Sequence, residues 1–551
     1  MPHVALEVVD AMPDDELTSV AANPVLLPRA VIRILMVTDD RGSYDPQFPF
    51  SLNELVRVLR EGTDEAEFRV KKAHRGADRY ANGADIKSFR FDSEDVDLVA
   101  DYDELWLFGV DRTKSALADL EVQVISEFMQ NGGGVFATGD HENMGWALCG
   151  RLPRVRSMRK WSWAEPGPNR PAENPDDPYA PPEKDRNRHD TMQRRHEDGI
   201  RFALDDQSDD IPQVISPRYY AIGGRSVVHP LLSIGSGIIT TFPDHPHEGE
   251  CYVPKNLDRK FRIGEVEHHE YPARTQPRTV PEIVAWSSSG SRPAERDEKG
   301  ILDATTFGAV GAYDGHLQEV GRVVVDATWH HFFDINLLGD RVNKNPEKRK
   351  GFSASAEGRW AYERIKVYFR NIASWVAPPT GQRELWWRAL WAVRWHHQVG
   401  MGLRTEFYDN PEGLSLEHLR MIGHSALMAY PDAIFRLWAG REGLGRIFPG
   451  FWNTLGSQID PWLTTTDTGP DPLPSELVLE TFLGAMVYGV AATYPELTDD
   501  AVVQAVDADW AQQAGAFLER SLSLLVAHVQ QTAAGLATYT SALTLAQGTQ
   551  E

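Results

Sequence analysis

Hydrophobic and polar positions along residues 30–138 follow a pattern typical of buried strands that alternate with amphipathic helices. Short uninterrupted apolar runs predict strands covered on both faces, and apolar residues spaced three or four apart predict helices. The alternation of the two predicts an α/β domain with a doubly wound, mostly parallel sheet. The predicted strands are 31–40, 102–110 and 134–138, and the predicted helices are 51–62 and 115–134.

Individual residues predict the ends and the inward faces of these two helices. Ser51 followed by Glu54 is a capping-box pattern, in which both side chains satisfy backbone N–H groups at the start of a helix. Asn131 and Gly132 are typical of a helix end. The inward positions are expected to be Leu52, Leu55, Val56 and Leu59 in the first helix, and Leu117, Leu120, Val124 and Phe128 in the second.

The α/β pattern is interrupted once and then resumes. Residues 161–212 form an irregular insertion, rich in proline and charge in its first half, which is typical of a lid or a mobile segment. Beyond it, sheet patterns are present at 226–250, 282–290 and 321–340, and a helix is predicted at 356–376. The α/β domain is therefore expected to span residues 30–378, after a loosely ordered leader at 1–29.

Helical patterns dominate the rest of the chain. Pro378, Pro379 and Gly381 indicate a boundary, and no convincing strand pattern follows it. The sequence predicts an all-α domain at 382–551, with helices that include 384–395, 475–494 and 514–531. Its tryptophans are expected in a core or in an interface between copies of the chain, rather than at a cofactor.

Composition excludes several classes of function. The 551-residue chain has 42% hydrophobic residues, 25% charged residues and only two cysteines, Cys149 and Cys251. We expect a protein of a reducing compartment, and so a cytoplasmic one, without a secretory signal. No apolar run approaches the roughly 20 residues that cross a bilayer. The net charge of −24 disfavours nucleic acid and anionic membranes as partners.

Acidic residues and histidines recur where predicted strands end. Because parallel strands share one carboxyl edge, where α/β proteins bind ligands, we expect these residues in a single site. Chance would scatter them more evenly along the chain. The residues are Asp39 and Asp40 after the first strand, Asp140, His141 and Glu142 after the strand at 134–138, Asp244, His245, His247 and Glu248, and finally Asp326, His330, His331 and Asp334.

One of these groups has the residue types of a metal site. In an extended segment, His245 and His247 point to the same side of the chain. Together with Asp244 and Glu248 they suit a divalent zinc, manganese or iron ion. The alternative is that this segment is an exposed acidic turn.

The other groups predict acid–base chemistry. His141 or His330 is expected to be a general base, oriented by Asp140 or Asp334. Substrate-binding residues are expected to be Asp39, Asp40, Glu142, His331 and Arg154.

Each of these predictions has a structural alternative. Asp39 and Asp40 could cap the next element, and Asp326 and His331 could form a buried pair that fixes the strand end. Arg154 lies in the basic run 151–160, which suits an anion such as phosphate or carboxylate. The same run could instead pair with acidic residues of the insertion or with the helical domain.

Three stretches carry a resemblance to a known family. They are ELWLFGV (104–110), NGGGVFATGDHENMG (131–145) and GRVVVDATWHHF (321–332). Their order resembles the class I glutamine amidotransferase-like superfamily over roughly residues 31–376, most closely its trehalose-utilisation-type branch. The resemblance implies a flavodoxin-like fold with a site at the turn after the strand at 134–138. The family's nucleophilic cysteine is replaced here by Gly139, Asp140 and His141, so thiol-dependent glutamine hydrolysis is not expected.

The sequence thus favours a hydrolase-like enzyme in which water, activated by a base or a metal, attacks a small polar substrate. A sugar-like substrate is implied only by the resemblance. Two alternatives stay open. One is a binding or sensing module whose helical domain carries the output. The other is a structural protein that forms homo-oligomers through that helical domain.

Overall fold

A computed structural model gives the structure of the protein. The predicted leader, most of the insertion and the helix predicted at 514–531 lie outside the residues that the structure describes. The described residues are 29–161, 189–191, 211–222, 225–234, 237–245, 247–274, 278–289, 304–340, 343–344, 346–394, 415–429, 480–481 and 483–488.

Eight strands form the main sheet of the described residues. Its spatial order is β2-β1-β3-β4-β8-β7-β6-β5. The strands from β2 to β8 in this order are parallel, and β7, β6 and β5 continue the sheet antiparallel. The sheet is therefore mixed, with a parallel part that agrees with the predicted α/β class. The strands are β1 Ala30–Thr38, β2 Ala66–His74, β3 Glu104–Phe108, β4 Gly134–Thr138, β5 Ser216–Pro217, β6 Glu282–Ser289, β7 Thr305–Tyr313 and β8 Val323–Asp326.

Helices cover both faces of this sheet, as the pattern predicts. Leu55 of α1 and Phe369 of α7 belong to the apolar core on one face, and Ile125 of α3 and Trp146 of α4 belong to the core on the other. Each such side chain contributes roughly 1.5–3 kcal/mol by its removal from water. The α-helices are α1 Asn53–Glu61, α2 Leu98–Asp101, α3 Asp119–Gln130, α4 Trp146–Cys149, α5 Val155–Met158, α6 Asp334–Leu338, α7 Ala356–Val376, α8 Pro379–Arg394 and α9 Leu416–Ala429.

Short elements complete the α/β part. The sheet pattern predicted at 226–250 corresponds to small antiparallel pairs outside the main sheet. These pairs join Tyr219–Ile222 with Arg225–Val228, Ser233–Ile234 with Gly237–Ile238, and Gln213–Val214 with Thr241–Phe242; a further pair joins Lys260–Ile263 with Val266–His269. Turns of 3₁₀-helix lie at Arg79–Ala81, Pro230–Leu232, Gly315–Gln318, Trp329–His331, Pro346–Arg349 and Phe352–Ala354.

The predicted capping box at the start of α1 is wrong. The helix begins at Asn53, and the backbone N–H of Glu54 donates to Asp334 Oδ1 at 2.9 Å. The Glu54 carboxylate instead accepts from Arg57, at 2.8 Å from its Nε. Ser51 Oγ accepts from the backbone N–H of Asn53 at 3.1 Å, and Asp334, 280 positions from Glu54, caps the next N–H because the fold brings α6 against the start of α1.

The inward face predicted for α3 is also partly wrong. The helix begins at Asp119, four residues later than predicted, since Asp111 holds the preceding segment through the backbone N–H of Ser115. Leu120 is 53% exposed, whereas Ile125 and Phe128 are buried. The buried face is therefore rotated around the helix axis from the predicted one.

The described chain divides into two compact units. Of the described residues, the first unit contains those of 29–389, with the main sheet, and the second contains those after residue 389. Within the second unit, α9 and the helical residues 480–481 and 483–488 are in backbone contact, since a Cβ on Gly423 would lie 1.8 Å from the carbonyl oxygen of Glu480. No helix of the described residues has both the length and the apolar composition needed to cross a membrane.

Candidate functional site

Two loops leave the same edge of the sheet side by side. Strands β4 and β8 are parallel, with Asp326 opposite Thr138, so the segments that follow both strands leave the carboxyl edge together. Thr328 joins the two loops, because its hydroxyl donates to Asp140 Oδ1 at 2.8 Å and accepts from the backbone N–H of His330 at 3.1 Å. The residues after both strands are thereby held in one place, as the sequence predicts.

The turn after β4 requires glycine at two positions. A Cβ on Gly139 would lie 2.4 Å from the carbonyl oxygen of Met144. Gly145 has a φ of +89°, and a Cβ there would lie 2.6 Å from the carbonyl oxygen of Gly109. Without these side chains the turn packs backbone against backbone, and the carbonyl of Gly139 accepts from the N–H of Trp329 at 2.8 Å.

A buried arginine joins the same two loops by hydrogen bonds to their backbone carbonyl groups. The guanidinium of Arg159 donates to the carbonyl oxygens of Asp140, Asp326 and Ala327, at 3.1 Å from Nε to Asp326 and 2.7 Å from Nη2 to Ala327. Burial lowers the pKa of this guanidinium, but arginine stays charged in proteins. Arg159 therefore places a positive charge next to the turn that follows β4.

The Asp140 carboxylate lies at the centre of the site and is fully buried. His141 Nδ1 is 2.7 Å from Asp140 Oδ2, and His330 Nε2 is 3.8 Å from the same oxygen. Burial alone would raise the pKa of Asp140, but the two histidines and the Thr328 hydroxyl hold that pKa below its usual range. Asp140 is therefore ionised at neutral pH.

Four imidazole rings surround this carboxylate. His245 stacks on His330 with ring centroids 3.3 Å apart, and His247 stacks on His141 with centroids 4.8 Å apart. The rings of His245 and His247 are themselves 5.0 Å apart. We call Asp140 and these four residues the histidine cluster. The structure thus brings together four histidines from three of the predicted groups, namely His141, the pair His245 and His247, and His330.

The hydrogen bonds of the two central histidines define their tautomers. Asn336 Oδ1 lies 2.9 Å from His330 Nδ1 and can only accept, so the proton is on Nδ1 and the lone pair of Nε2 faces Asp140. Burial lowers the pKa of His330 to about 3, so this ring is neutral at pH 7. His245 differs, because its Nδ1 accepts from the backbone N–H of His247 at 3.1 Å.

Three members of the cluster form a group that could hold one metal ion. Asp140, His245 and His330 are buried, and each offers one ligand atom within 4.8 Å of the other two. Zinc–ligand distances are about 2.0–2.2 Å, so the ligand atoms of one ion are at most roughly 4.4 Å apart. Shifts of a few tenths of an ångström would bring all three side chains to a single ion.

A second buried group, the Asp326 cluster, lies next to the first and consists of Asp326, His331, Gln213, Glu248 and Tyr368. His331 Nδ1 is 2.7 Å from Asp326 Oδ1, and the Tyr368 hydroxyl donates to Asp326 Oδ2 at 2.8 Å. Gln213 Nε2 donates to Glu248 Oε1 at 2.8 Å and lies 3.1 Å from His331 Nε2. The buried Asp326–His331 pair, which the sequence offered as an alternative to substrate binding, is present.

Burial has different consequences for the two titrating groups of the Asp326 cluster. It raises the pKa of Glu248 to about 7, because His331 Nε2 is 3.9 Å from Oε2 and only partly offsets the desolvation. Burial opposes protonation of His331, but the adjacent Asp326 and Glu248 carboxylates raise its pKa above the ordinary value. This cluster therefore keeps protons at neutral pH.

The structure places several other predicted site residues outside both clusters. Asp39 Oδ1 accepts from the backbone N–H groups of Val110 and Asp111, at 2.7 and 2.9 Å, and so joins the ends of β1 and β3. Asp40 is exposed in a left-handed conformation, with a φ of 44°. The alternative expectation of a structural role describes Asp39 well.

The remaining predictions have mixed outcomes. Glu142 has a φ of 55° and pairs with Arg112 at 2.7 Å. Asp334 caps α1, and Asn336 rather than Asp334 bonds to the ring of His330. Asp244 is buried directly before His245. Arg154 is buried against Glu270, with its backbone N–H 2.6 Å from Glu270 Oε1.

Several residues of the site carry no local sequence signal. Thr328, Asn336 and Gln213 are ordinary polar residues, and their partners are defined only when distant segments meet. A pattern search for acids and histidines cannot find them. The one available clue is that Thr328 and Asn336 flank the pair His330 and His331 within the same short stretch.

Comparison of the sequence with protein-family models and with curated proteins finds no match in either.

Proposed function

We propose that the protein is a hydrolase whose histidine cluster binds one divalent metal ion through Asp140, His245 and His330. The observation that carries this proposal is the placement of three buried ligand atoms within 4.8 Å of one another. The bond from His330 to Asn336 supports it, because an oriented Nδ1–H leaves Nε2 as the ligating atom. Two imidazoles and a carboxylate suit zinc, manganese or iron.

This ligand set differs from the one that the sequence favours. His245 is common to both. Glu248 bonds within the Asp326 cluster, and His247 stacks on His141 beside the proposed ligands. Asp140 and His330 replace them as the ligands that the geometry supports.

His141 is the residue best placed to move a proton. Its Nδ1 donates to Asp140, which leaves Nε2 as a base, and its side chain is 13% exposed, whereas Asp140, His245 and His330 are buried. A bound metal would supply an acidified water molecule at neutral pH. His141 would take the proton of that water as its oxygen attacks the substrate, and would return the proton to the leaving group when the scissile bond breaks. The Asp140 carboxylate stabilises the imidazolium in between.

The fold gives this proposal a second support. The five parallel strands have the order 2-1-3-4-5 when they are numbered along the chain, which is the flavodoxin-like order. In the proposed relation to glutamine amidotransferase-like proteins, the site keeps its position after β4 but lacks thiol chemistry. Cys149 and Cys251 are both buried, and burial raises the pKa of both thiols. The substrate class is a small polar molecule, with a sugar-like one implied only by the resemblance.

A metal-free binding pocket is the second candidate, and one contact favours it. His245 Nδ1 accepts the N–H of His247, which puts the proton of the neutral ring on Nε2. Metal binding through Nε2 would move that proton to Nδ1 and break the contact. In the metal-free reading, the cluster holds a polar ligand and performs no hydrolysis.

Metal analysis separates these two functions. The purified protein is loaded with Zn²⁺, Mn²⁺ or Fe²⁺, dialysed and analysed by mass spectrometry of the elements. We expect about one ion per chain in the wild type and none in the double variant His245→Ala/His330→Ala. The matched control is His268→Ala/His269→Ala, which removes two histidines from the hairpin at Lys260–Ile263 and Val266–His269.

Activity is then tested on chromogenic esters, phosphate esters and glycosides. We expect metal-dependent turnover that falls roughly 10²–10⁴-fold in His141→Ala, while metal content is retained. A wild type that binds none of the three ions would overturn the metal site. Metal binding without turnover of any substrate class would overturn the hydrolase and leave a metal-dependent binding function.

A further inference from the structure

A buried arginine outside the proposed active site has most of its hydrogen-bonding capacity unused. Arg154 lies in the basic run that follows the turn after β4, and it is fully buried. Its backbone is firmly held, since its N–H donates to Glu270 Oε1 at 2.6 Å and its carbonyl accepts from the Tyr271 hydroxyl at 3.3 Å. The guanidinium makes a single bond, from Nη1 to the carbonyl oxygen of Glu270 at 3.3 Å.

The nearest carboxylate is already neutralised by other groups. Glu270 Oε2 accepts from Arg156 Nε and Nη2 at 3.1 and 2.7 Å, and Glu270 Oε1 accepts from the Ser157 hydroxyl at 2.6 Å. Arg259 approaches the same carboxylate at 3.8 Å. The charge of Glu270 is therefore shared by two other arginines, and no carboxylate of the described part of the chain forms an ion pair with the Arg154 guanidinium.

The Arg154 guanidinium and the Tyr313 phenol are close enough for each to influence the pKa of the other. Within the described residues, Nε and Nη2 of Arg154 and the hydroxyl of Tyr313 are buried without a hydrogen-bond partner. The Tyr313 ring packs edge-on against Tyr271 with centroids 5.1 Å apart, which places it beside the backbone of Arg154. Burial raises the pKa of Tyr313 to about 12 against the influence of Arg154, Arg278 and Arg274, so the phenol is a neutral donor.

A buried cation with unused donors is costly unless an anion accompanies it. We propose that Arg154 and Tyr313 bind one small monovalent anion of the halide class, such as chloride. The anion would accept from Arg154 Nε–H and Nη2–H and from the Tyr313 hydroxyl. Both side chains are fully buried, which favours a compact ion over phosphate or a larger carboxylate. This anion site does not depend on the proposed function, because neither residue belongs to the histidine cluster.

The test is thermal unfolding of the full-length protein in mixtures of sodium chloride and sodium gluconate at constant ionic strength. We expect the wild-type Tm to rise saturably with chloride, by about 2–4 °C, because a ligand that binds only the folded state stabilises it. The rise should be absent in Arg154→Met and reduced in Tyr313→Phe. Arg69→Met, which removes an exposed arginine paired with Glu67, is the matched control and should keep the full rise.

Two results would overturn the anion site. One is a wild-type Tm that does not change between gluconate and chloride, and the other is an equal chloride response in Tyr313→Phe and wild type. Anomalous diffraction from wild-type crystals grown in bromide gives a test that needs no variant, in case Arg154→Met does not fold. We expect a bromide peak between the Arg154 guanidinium and the Tyr313 hydroxyl, and its absence would also reject the site.

Discussion

The histidine cluster and the Asp326 cluster each pair a buried aspartate with a histidine at the same edge of one sheet, yet the two clusters differ in the partners of their other polar atoms. In the Asp326 cluster, Asp326 accepts from both His331 and Tyr368, and the amide of Gln213 extends the network to Glu248. In the histidine cluster, imidazole rings stack around one carboxylate and lone pairs face inward. The first arrangement is a hydrogen-bonded network in which Glu248 Oε2 alone lacks a hydrogen-bond partner among the described residues of the cluster, and the second is the one at which we propose a metal site.

The two clusters also differ in the pKa of a buried carboxylate. Asp140 has the Nδ1–H of His141 at 2.7 Å and a pKa below its usual range, whereas the nearest imidazole nitrogen to Glu248 is 3.9 Å away and the pKa of Glu248 is raised to about 7. Burial by itself would raise the pKa of both carboxylates. Asp140 has two histidines and the Thr328 hydroxyl to offset its burial, whereas the charges of Asp326 and Asp140 add to the effect of burial on Glu248.

The two clusters also divide a pair of adjacent histidines between them. His330 and His331 belong to one turn of 3₁₀-helix, in which successive side chains point roughly 120° apart. One ring therefore faces Asp140 and the other faces Asp326. The local backbone geometry thus sends two adjacent histidines to two different clusters.

Removal of one histidine from each cluster should give the largest contrast. His331→Ala leaves Asp326 and Glu248 buried without their cation, and we expect a loss of about 3–5 kcal/mol in the free energy of unfolding. His141→Ala removes a partly exposed ring and should cost about 1–2 kcal/mol, the cost of one lost hydrogen bond. Urea unfolding followed by tryptophan fluorescence measures both losses. Equal losses would show that the two clusters do not differ in their contribution to stability.

The pH dependence of stability should have opposite signs at the two carboxylates. Because the folded-state pKa of Glu248 is raised from 4.5 to about 7, its contribution is fully present below pH 4.5 and is lost as the pH rises through 7. The slope is about 1.4 kcal/mol per pH unit in that window, and Glu248→Gln should remove it. Unfolding measured at pH 4.5, 6 and 7.5 tests this.

Asp140→Asn is the comparison for that experiment. The folded-state pKa of Asp140 is lowered, so its contribution is present above the ordinary pKa of 3.8 and is lost as the pH falls below it. The variant should therefore differ from wild type by a constant amount between pH 5 and 7.5. A slope in that range like the one expected for Glu248 would show that the two carboxylates are not different.

The orienting role of Asn336 predicts an intermediate effect. Asn336→Ala removes the acceptor that holds His330 Nδ1–H, and second-shell losses of this kind weaken metal binding about 10–100-fold. Competition with a chelator measures the change. Asn131→Ala, at the exposed end of α3, is the control and should bind metal as the wild type does. An unchanged affinity in Asn336→Ala would remove His330 from the proposed ligand set.

The smallest effect is expected at the ion pair between Arg112 and Glu142. Glu142 belongs to the acid–histidine–acid triplet after β4, but it turns away to pair with Arg112, whose side chain is 51% exposed. Exposed pairs contribute about 0–1 kcal/mol, so Arg112→Ala should barely change stability and should leave metal content unchanged. A large loss of bound metal would show that Glu142 belongs to the histidine cluster after all.

Much of the sheet was predictable from local pattern, and the exceptions have physical reasons. The strand at 134–138 and the helix at 356–376 are confirmed with their predicted bounds. The pattern did not predict β2, an outer strand of the sheet whose lysines and arginine interrupt its apolar positions, or β7, whose apolar run contains Gly308 and Gly311. Because polar residues or glycines interrupt their apolar runs, these strands become recognisable only from their pairing with neighbouring strands in the folded sheet.

The site was predictable in its position but not in its membership. The carboxyl edge of parallel strands brings Asp140, His141 and His330 together, as the sequence suggests. His245 was also expected at this site, but it follows a short strand outside the main sheet rather than a strand of the parallel part. The partners that separate the two clusters, Asn336 and Gln213, are joined to them by side-chain hydrogen bonds with no periodic pattern.

The two buried cysteines have a practical consequence for experiments in solution. Cys149 and Cys251 pack in the same apolar core on one face of the sheet, and neither presents a thiolate to solvent. The native protein should therefore react very slowly with thiol reagents. The rate of labelling should report how often the apolar core around the two cysteines becomes exposed by local unfolding. An added surface cysteine would be the only fast-reacting thiol among the described residues, so single-site fluorescent probes need no cysteine-free background.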